Sequence, residues 1–403
     1  MNSQRIYLDN AATTTVRAEV LDAMREVAAD AEYNPSSLHA EGRRARAVLE
    51  DARRRVAAAL GAFANEIVFT AGGTEADNLA IAGIAALAPS GAHLVACAIE
   101  HHGVLAPLER LRERGFEVTL LPVGRSGHVD PDAFEAALRP QTVLASVMYA
   151  NNEIGTVQPV ARLAAIARER GVRFHTDAVQ APAWLPVDVG RLGVDLLSLS
   201  AHKLGGPKGV GLLYVRRGVE LAPVLDGGGQ ESGRRSGTQN VPGIVGFARA
   251  IELAVAERQQ RAPVAAALRD RLEEAVRAAG GRINGGEPRL PNVCNASFWG
   301  IDAPQMLIAL DLAGVAVSAG SACTSGSLEP SHVLAALGGG PDAPAAGIRF
   351  SLGTQTSELE VERVAATLPE VAGRLRGGSR ETRGDWVDTD RTARRWREKL
   401  EQF

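Results

Sequence analysis

Seven short runs rich in apolar and β-branched residues punctuate the first half of the chain, at 67–70, 93–98, 118–121, 143–149, 172–176, 195–200 and 211–215, and helical patterns fill most of the gaps between them. That alternation predicts an α/β fold: a mainly parallel seven-stranded sheet with crossover helices, which binds its ligands at the strand carboxyl ends. Helices are expected at 39–60, closed by Gly61, and at 160–170, closed by Gly171. Beyond Gly227-Gly228-Gly229 comes a long helical region, 241–279, with an interruption expected at Pro263. Strand-like 293–298, 315–318 and 348–352 then mix with helices at 304–312 and 357–375, the pattern of a smaller α+β C-terminal domain. The expected division is a large domain over 16–259, a small one combining 1–15 with 260–376, and a charged tail over 377–403. In that tail Trp396, Leu400 and Phe403 fall at helical spacing; it reads as a frayed tail or a helix covering its own protein, with docking of a partner as the alternative.

Composition narrows the function. A formal charge of −3 and 4% aromatic residues supply neither the basic stripe nor the stacking platforms of a nucleic-acid groove. The opening residues carry no charged-then-apolar leader, and the apolar stretch from Leu79 is broken at Pro89-Ser90-Gly91, so a cytoplasmic protein without membrane spans is expected. Three cysteines, Cys97, Cys294 and Cys323, are an odd number without metal-ligand spacing, which argues for free thiols and against a disulfide framework or structural metal.

Of 44 basic residues only three are lysine, and Lys203 is one of them, just past an apolar run. Where arginine serves nearly everywhere, a retained lysine points to a nitrogen that must lose its proton and can form an imine. The plainer alternative is a lysine snorkelling from a strand end. The 70–77 stretch, Thr-Ala-Gly-Gly-Thr-Glu-Ala-Asp, follows a strand and opens a helix, so backbone amides at Gly73 and the Thr74 hydroxyl can hold a phosphate. An ordinary capping box of Thr74 with Asp77 stays open beside that reading. Asp177 ends another strand, where its carboxylate can keep a pyridine nitrogen protonated or merely cap a helix. A lysine, an anion cradle and an aspartate at strand carboxyl ends together form the parts list for pyridoxal 5′-phosphate.

The remaining candidates sit on further strand ends and in the C-terminal part. His101 is suited to stacking on a cofactor ring or moving protons, or is a loop histidine in solvent. Asn152, in an Asn-Asn-Glu-Ile-Gly turn, can bond the cofactor or a substrate carboxylate. Arg349 lies in an apolar strand and offers a bidentate grip on a carboxylate or a structural ion pair. Cys97 and Cys294 sit in apolar or alternating strands and read as inert. Cys323 is surrounded by small residues, as in an exposed loop; at an ordinary thiol pKa only about 3% is thiolate at neutral pH, so a nucleophilic role calls for local activation.

Taken in order, the segments 7–13, 34–37, 73–75, 100–101 and 151–155, Asp177, Gln180, 200–203, 235–238 and 321–325 resemble the cysteine desulfurases of the NifS/IscS type, pyridoxal-phosphate enzymes of aminotransferase fold type I. The resemblance runs from about Tyr7 to Gly353. It implies that Lys203 holds the cofactor, His101 stacks on its ring, and Asp177 meets the ring nitrogen. It sets Asn152 and Gln180 beside the ring and its phenolic oxygen, and Gly73, Thr74, Ser200 and His202 at the phosphate, with Ala201 beside Lys203. Arg349, Asn152 and Asn34 are the implied substrate contacts. Thr238 is implied to reach the phosphate of a neighbouring subunit, hence a homodimer.

The expected reaction converts L-cysteine to L-alanine through a persulfide on Cys323, handed to a sulfur acceptor such as an iron–sulfur scaffold or a tRNA-thiolating enzyme. Alternatives are a selenocysteine lyase or another pyridoxal-phosphate aminotransferase and, from a different class, a non-catalytic sulfur-transfer scaffold. Ala201, Leu204-Gly205, Gly338-Gly339-Gly340 and the tail beyond Gly377 depart from the common family pattern.

Overall fold

The structure, a computed structural model, describes residues 5–31, 33–320, 331–338 and 347–378. Cys323 and the tail beyond 378 lie outside the described residues.

All seven expected strands join one sheet, in the order Ile67–Thr70, Gly211–Val215, Leu196–Ser200, Arg173–Asp177, Thr142–Ser146, His93–Cys97, Glu117–Leu121. Only Gly211–Val215 runs antiparallel to its neighbours. Burial on both faces explains the near-continuous apolar runs. Along one strand Val95 and Cys97 enter one core while Leu94 and Ala96 enter the other, as the two-residue period of a strand requires. Crossover helices then leave the strand carboxyl ends open along one edge.

Helix Ala40–Leu60 ends at Gly61 with φ of 68°, and His39 caps its start by accepting from Gly42 N–H. The helix expected to break at Pro263 instead runs unbroken from Val241 to Ala278. Pro263 removes one backbone donor, and both it and Gln259, whose carbonyl loses that bond, lie on the exposed side where water can replace it. This one helix serves two cores: Val241 to Ile251 pack under the large sheet, and Leu272 and Val276 pack with Ile6, Leu8 and Phe350.

A second, antiparallel sheet has Val293–Phe298 between Ile348–Ser351 and Gly281–Ile283; the last strand carries too little pattern in three residues to be read from sequence. The amino-terminal strand Ile6–Tyr7 pairs in parallel with Val315–Ala316, and Asp9 bridges Ser351. Residues 6–12 therefore run between the small sheet and the open edge of the large one. Among the described residues, no helix is long and apolar enough to cross a membrane.

Candidate active site

Lys203 closes a short 3₁₀ turn, Ala201–Lys203, at the end of strand Leu196–Ser200. Ala201 is fully buried and donates its N–H to Val210 O, while Gly206 N–H returns to Ala201 O, so the turn that carries the lysine is tied on both sides. The Lys203 amine is half-buried and donates to the carbonyls of Ala11 and Ala12. Strand end and amino-terminal segment are thus joined at one nitrogen.

That nitrogen faces a cavity of about 290 Å³. Asp177 and Ser200 reach it from the ends of neighbouring strands, Gly73 and Thr74 from a helix start, and His101 from the next helix. Asn152, Gln180, His202 and Arg349 complete the wall. Ends of the large sheet's strands bring together residues from Gly73 to Lys203, and a strand of the second sheet adds Arg349.

At the helix start, Gly72 holds the cap position and no side chain caps the amides, so the Thr74–Asp77 capping box does not form. A Cβ on Gly73 would come within 2.8 Å of Val179 Cγ2, so only glycine leaves this cradle open. A more open pocket continues outward past Gly72, Thr74, His202 and Lys208. Uncapped amides with a lysine nearby suit a phosphate.

Asp177 is buried, and desolvation lifts its carboxyl above the ordinary range, against the Val179 N–H bond and the Lys203 ammonium, which favour the charged form. A protonated ring nitrogen is the partner such a carboxylate lacks. Asp77 lines the same wall, its Oδ1 without a hydrogen-bond partner among the described residues, and burial followed by repulsion from Asp177 raises its pKa. The sequence offered Asp77 only as the partner of Thr74 in a possible capping box. The available signal was its place between Ala76 and Ala80 on the buried stripe of the helix, where an aspartate has no packing role.

His101 Nδ1 accepts from Gly103 N–H at 3.0 Å, which puts the neutral ring's proton on Nε2. Burial, then the charge of Lys203, lowers its pKa to about 4; His202 falls to about 4 for the same two reasons in the same order. Both rings are neutral near pH 7. The Gln180 amide donates to Ala11 O, which keeps its side chain at the cavity wall.

Arg349 is 1% exposed. Its strand neighbours Ile348 and Phe350 enter the small core, so the two-residue period turns the arginine to the cavity. There Nη1 donates to Asn152 O at 2.9 Å and Nη2 to Asp9 at 2.7 Å; Nε has no partner among the described residues. A buried guanidinium with an unfilled donor is fitted to receive a carboxylate. The sequence left a choice between ion pair and anion grip; the ion pair to Asp9 is present, and Nε is left for a ligand.

Three expected residues do not line this cavity. Asn34 is exposed and turned back on its own segment, accepting from Ser36 N–H, because the Asn-Pro-Ser sequence closes a local side-chain turn. Thr238 is exposed, and Ala201 lies buried beneath the lysine turn. Cys97 and Cys294 are buried, and desolvation pushes both thiols up, which makes them poor nucleophiles.

A lysine, a buried carboxylate and uncapped helix-start amides on the carboxyl edge of a mainly parallel sheet go with a pyridoxal-phosphate enzyme of aminotransferase fold type I. Residues 6–364 match the family described as aminotransferase class V, and the chain belongs to it, in the NifS/IscS branch. It is 47% identical to the cysteine desulfurase IscS of Dictyoglomus turgidum over 377 residues, 93% of this chain and 96% of that one. A solved NifS-like protein superposes with a TM-score of 0.87 at 37% identity, covering 92% of this chain and 100% of that one. A structure described as SspA in complex with cysteine has a TM-score of 0.77 at 37% identity and covers 87% of this chain and 100% of that one.

Proposed function

We propose that this cavity removes sulfur from L-cysteine, releases L-alanine and leaves the sulfur as a persulfide on Cys323. The chain is a pyridoxal-phosphate-dependent cysteine desulfurase. One observation carries the assignment of residues: the Lys203 amine, the Asp177 carboxylate and the Arg349 guanidinium line one cavity.

When bound, pyridoxal 5′-phosphate supplies an electron-withdrawing ring that stabilises negative charge at the substrate Cα. Gly73, Thr74, Ser200 and His202 would hold its phosphate, Lys203 its carbonyl carbon, Asp177 its ring nitrogen, and the neutral His101 ring would cover its face. Arg349, with Asn152, fixes the substrate carboxylate. Lys203 Nζ then takes the Cα proton and returns it.

Cys323 thiolate attacks the substrate sulfur: the S–S bond forms, the C–S bond breaks, and its electron pair stays with carbon, which takes up a proton. L-cysteine and a thiol thereby become L-alanine and a persulfide with no outside oxidant. The persulfide passes to an acceptor protein such as an iron–sulfur scaffold or a tRNA-thiolating enzyme. The enzyme acts as a cytoplasmic homodimer in this reading, with Thr238 of each chain serving the other's phosphate site.

The test is Cys323→Ala. It keeps the cofactor absorbance and forms no alanine from cysteine, whereas Lys203→Ala loses the normal absorbance. Alanine formation by Cys323→Ala at the native rate refutes the nucleophile.

A further inference from the structure

The Asn-Asn-Glu-Ile-Gly turn contributes Asn152 to the cavity, yet its next residue, Glu153, faces away from it and is 1% exposed. A buried carboxylate needs partners. Glu153 finds one in Ser331 and packs against Gly320, two places that are distant in sequence and adjacent in space. Ser331 Oγ donates to Glu153 Oε2, and that same oxygen lies so close to Gly320 that a Cβ there would approach it to 2.5 Å. Gly320 has φ of 95°, so the position excludes a side chain on conformational as well as steric grounds.

Residues 320 and 331 are the described positions on either side of the stretch that contains Cys323. Both lie against one carboxylate oxygen, Glu153 Oε2. Both roots are otherwise well tied. On one side Ser318 exchanges backbone hydrogen bonds with Arg349, N–H to O at 3.1 Å and O to N–H at 2.6 Å. On the other, Ser331 caps the helix His332–Ala336, and the His332 ring packs 4.7 Å from that of His102 while its Nε2 meets Glu100 O. Glu153 itself is held by Asn151 Oδ1 at its N–H and by the Asn295 amide at its carbonyl. Arg349 in turn donates to Asn152 O, one residue away.

We propose that Glu153 is a positioning residue for sulfur transfer: it holds one root of the Cys323 stretch by the Ser331 hydrogen bond and packs against the other at Gly320, from the same turn that carries Asn152 and accepts from Arg349. The substrate's anchor and the described residues on either side of the nucleophile are then tied to one turn. This inference rests on the desulfurase reading. It assigns Glu153 no contact with substrate or cofactor.

Single-turnover kinetics of the cofactor-loaded enzyme test it with Glu153→Ala, Glu153→Gln and Gly320→Ala. Two signals are followed on mixing with L-cysteine: the change in cofactor absorbance, which reports substrate binding, and the appearance of alanine, which reports sulfur transfer. Glu153→Ala and Gly320→Ala should bind cysteine with unchanged apparent affinity and form alanine at least tenfold more slowly. Glu153→Gln, which keeps an acceptor for Ser331, should stay within about threefold of the native rate. The proposal is overturned if Glu153→Ala forms alanine at the native rate, if cofactor or cysteine binding falls in step with alanine formation, or if Glu153→Gln is as impaired as Glu153→Ala. A native enzyme that binds cysteine and makes no alanine would instead overturn the desulfurase reading itself.

Discussion

Arg349 Nη2 donates to Asp9 Oδ1 at 2.7 Å across a separation of 340 residues. The contact ties the amino-terminal segment, whose next carbonyls receive the Lys203 amine, to the strand that supplies the carboxylate grip. Arginine's planar fork can keep Asp9 and Asn152 O while an edge remains for a ligand; an ammonium cannot. Arg349→Lys is expected to raise KM for cysteine at least tenfold, about 1.4 kcal/mol of binding, with the cofactor absorbance retained. Steady-state assays beside absorbance spectra check it.

Gly73 sets a second expectation. Gly73→Val puts side-chain carbons where 2.8 Å already separates a bare Cβ from Val179, in the cradle proposed for the phosphate. Cofactor affinity should fall at least tenfold while far-ultraviolet circular dichroism stays native. Titration of the apoprotein with pyridoxal 5′-phosphate measures it.

Burial of uncharged imidazoles makes the apoprotein acid-sensitive. His93, His101 and His202 are lowered to about 4 and His175 to about 3, in each case chiefly by desolvation. The unfolded chain takes up protons on these groups near pH 6.5, before the folded one does. Their stabilisation is full above that pH and is lost as pH falls toward 4 and then 3, on the order of 1 kcal/mol per histidine. Asp177, raised to about 6, works in the opposite sense, as do the raised carboxyls of Asp77, Glu100 and Glu153; against these four stand seven lowered histidines, His102, His128 and His332 joining those above. Thermal melts of the apoprotein should show the midpoint falling steadily from pH 7 to 4; a flat profile would contradict the assigned protonation states.

Thiol reactivity should separate the three cysteines. Cys97 and Cys294 are buried with raised pKa values, so iodoacetamide should label the native enzyme at Cys323 alone. Cys323→Ala should take up label only after unfolding. Peptide mass mapping of labelled protein decides the matter.

The sequence by itself determined the local architecture. A strand buried on both faces must be written as an apolar run, and each expected run of the large sheet is a strand to within a few residues at its ends. The chemistry-bearing residues were legible because Lys203, Asp177, His101 and Gly73 stand just past such runs. Pro263 misled because the price of a missing donor depends on whether water reaches the orphaned carbonyl, which is a property of the folded surface. Tertiary structure alone decided which partner each polar side chain would take. Asp77 became a cavity wall and not a cap, Asn34 closed on its own turn, and Arg349 met Asp9, because hydrogen bonds of buried polar groups are set by what the fold brings within about 3 Å, a distance that has no counterpart in sequence order.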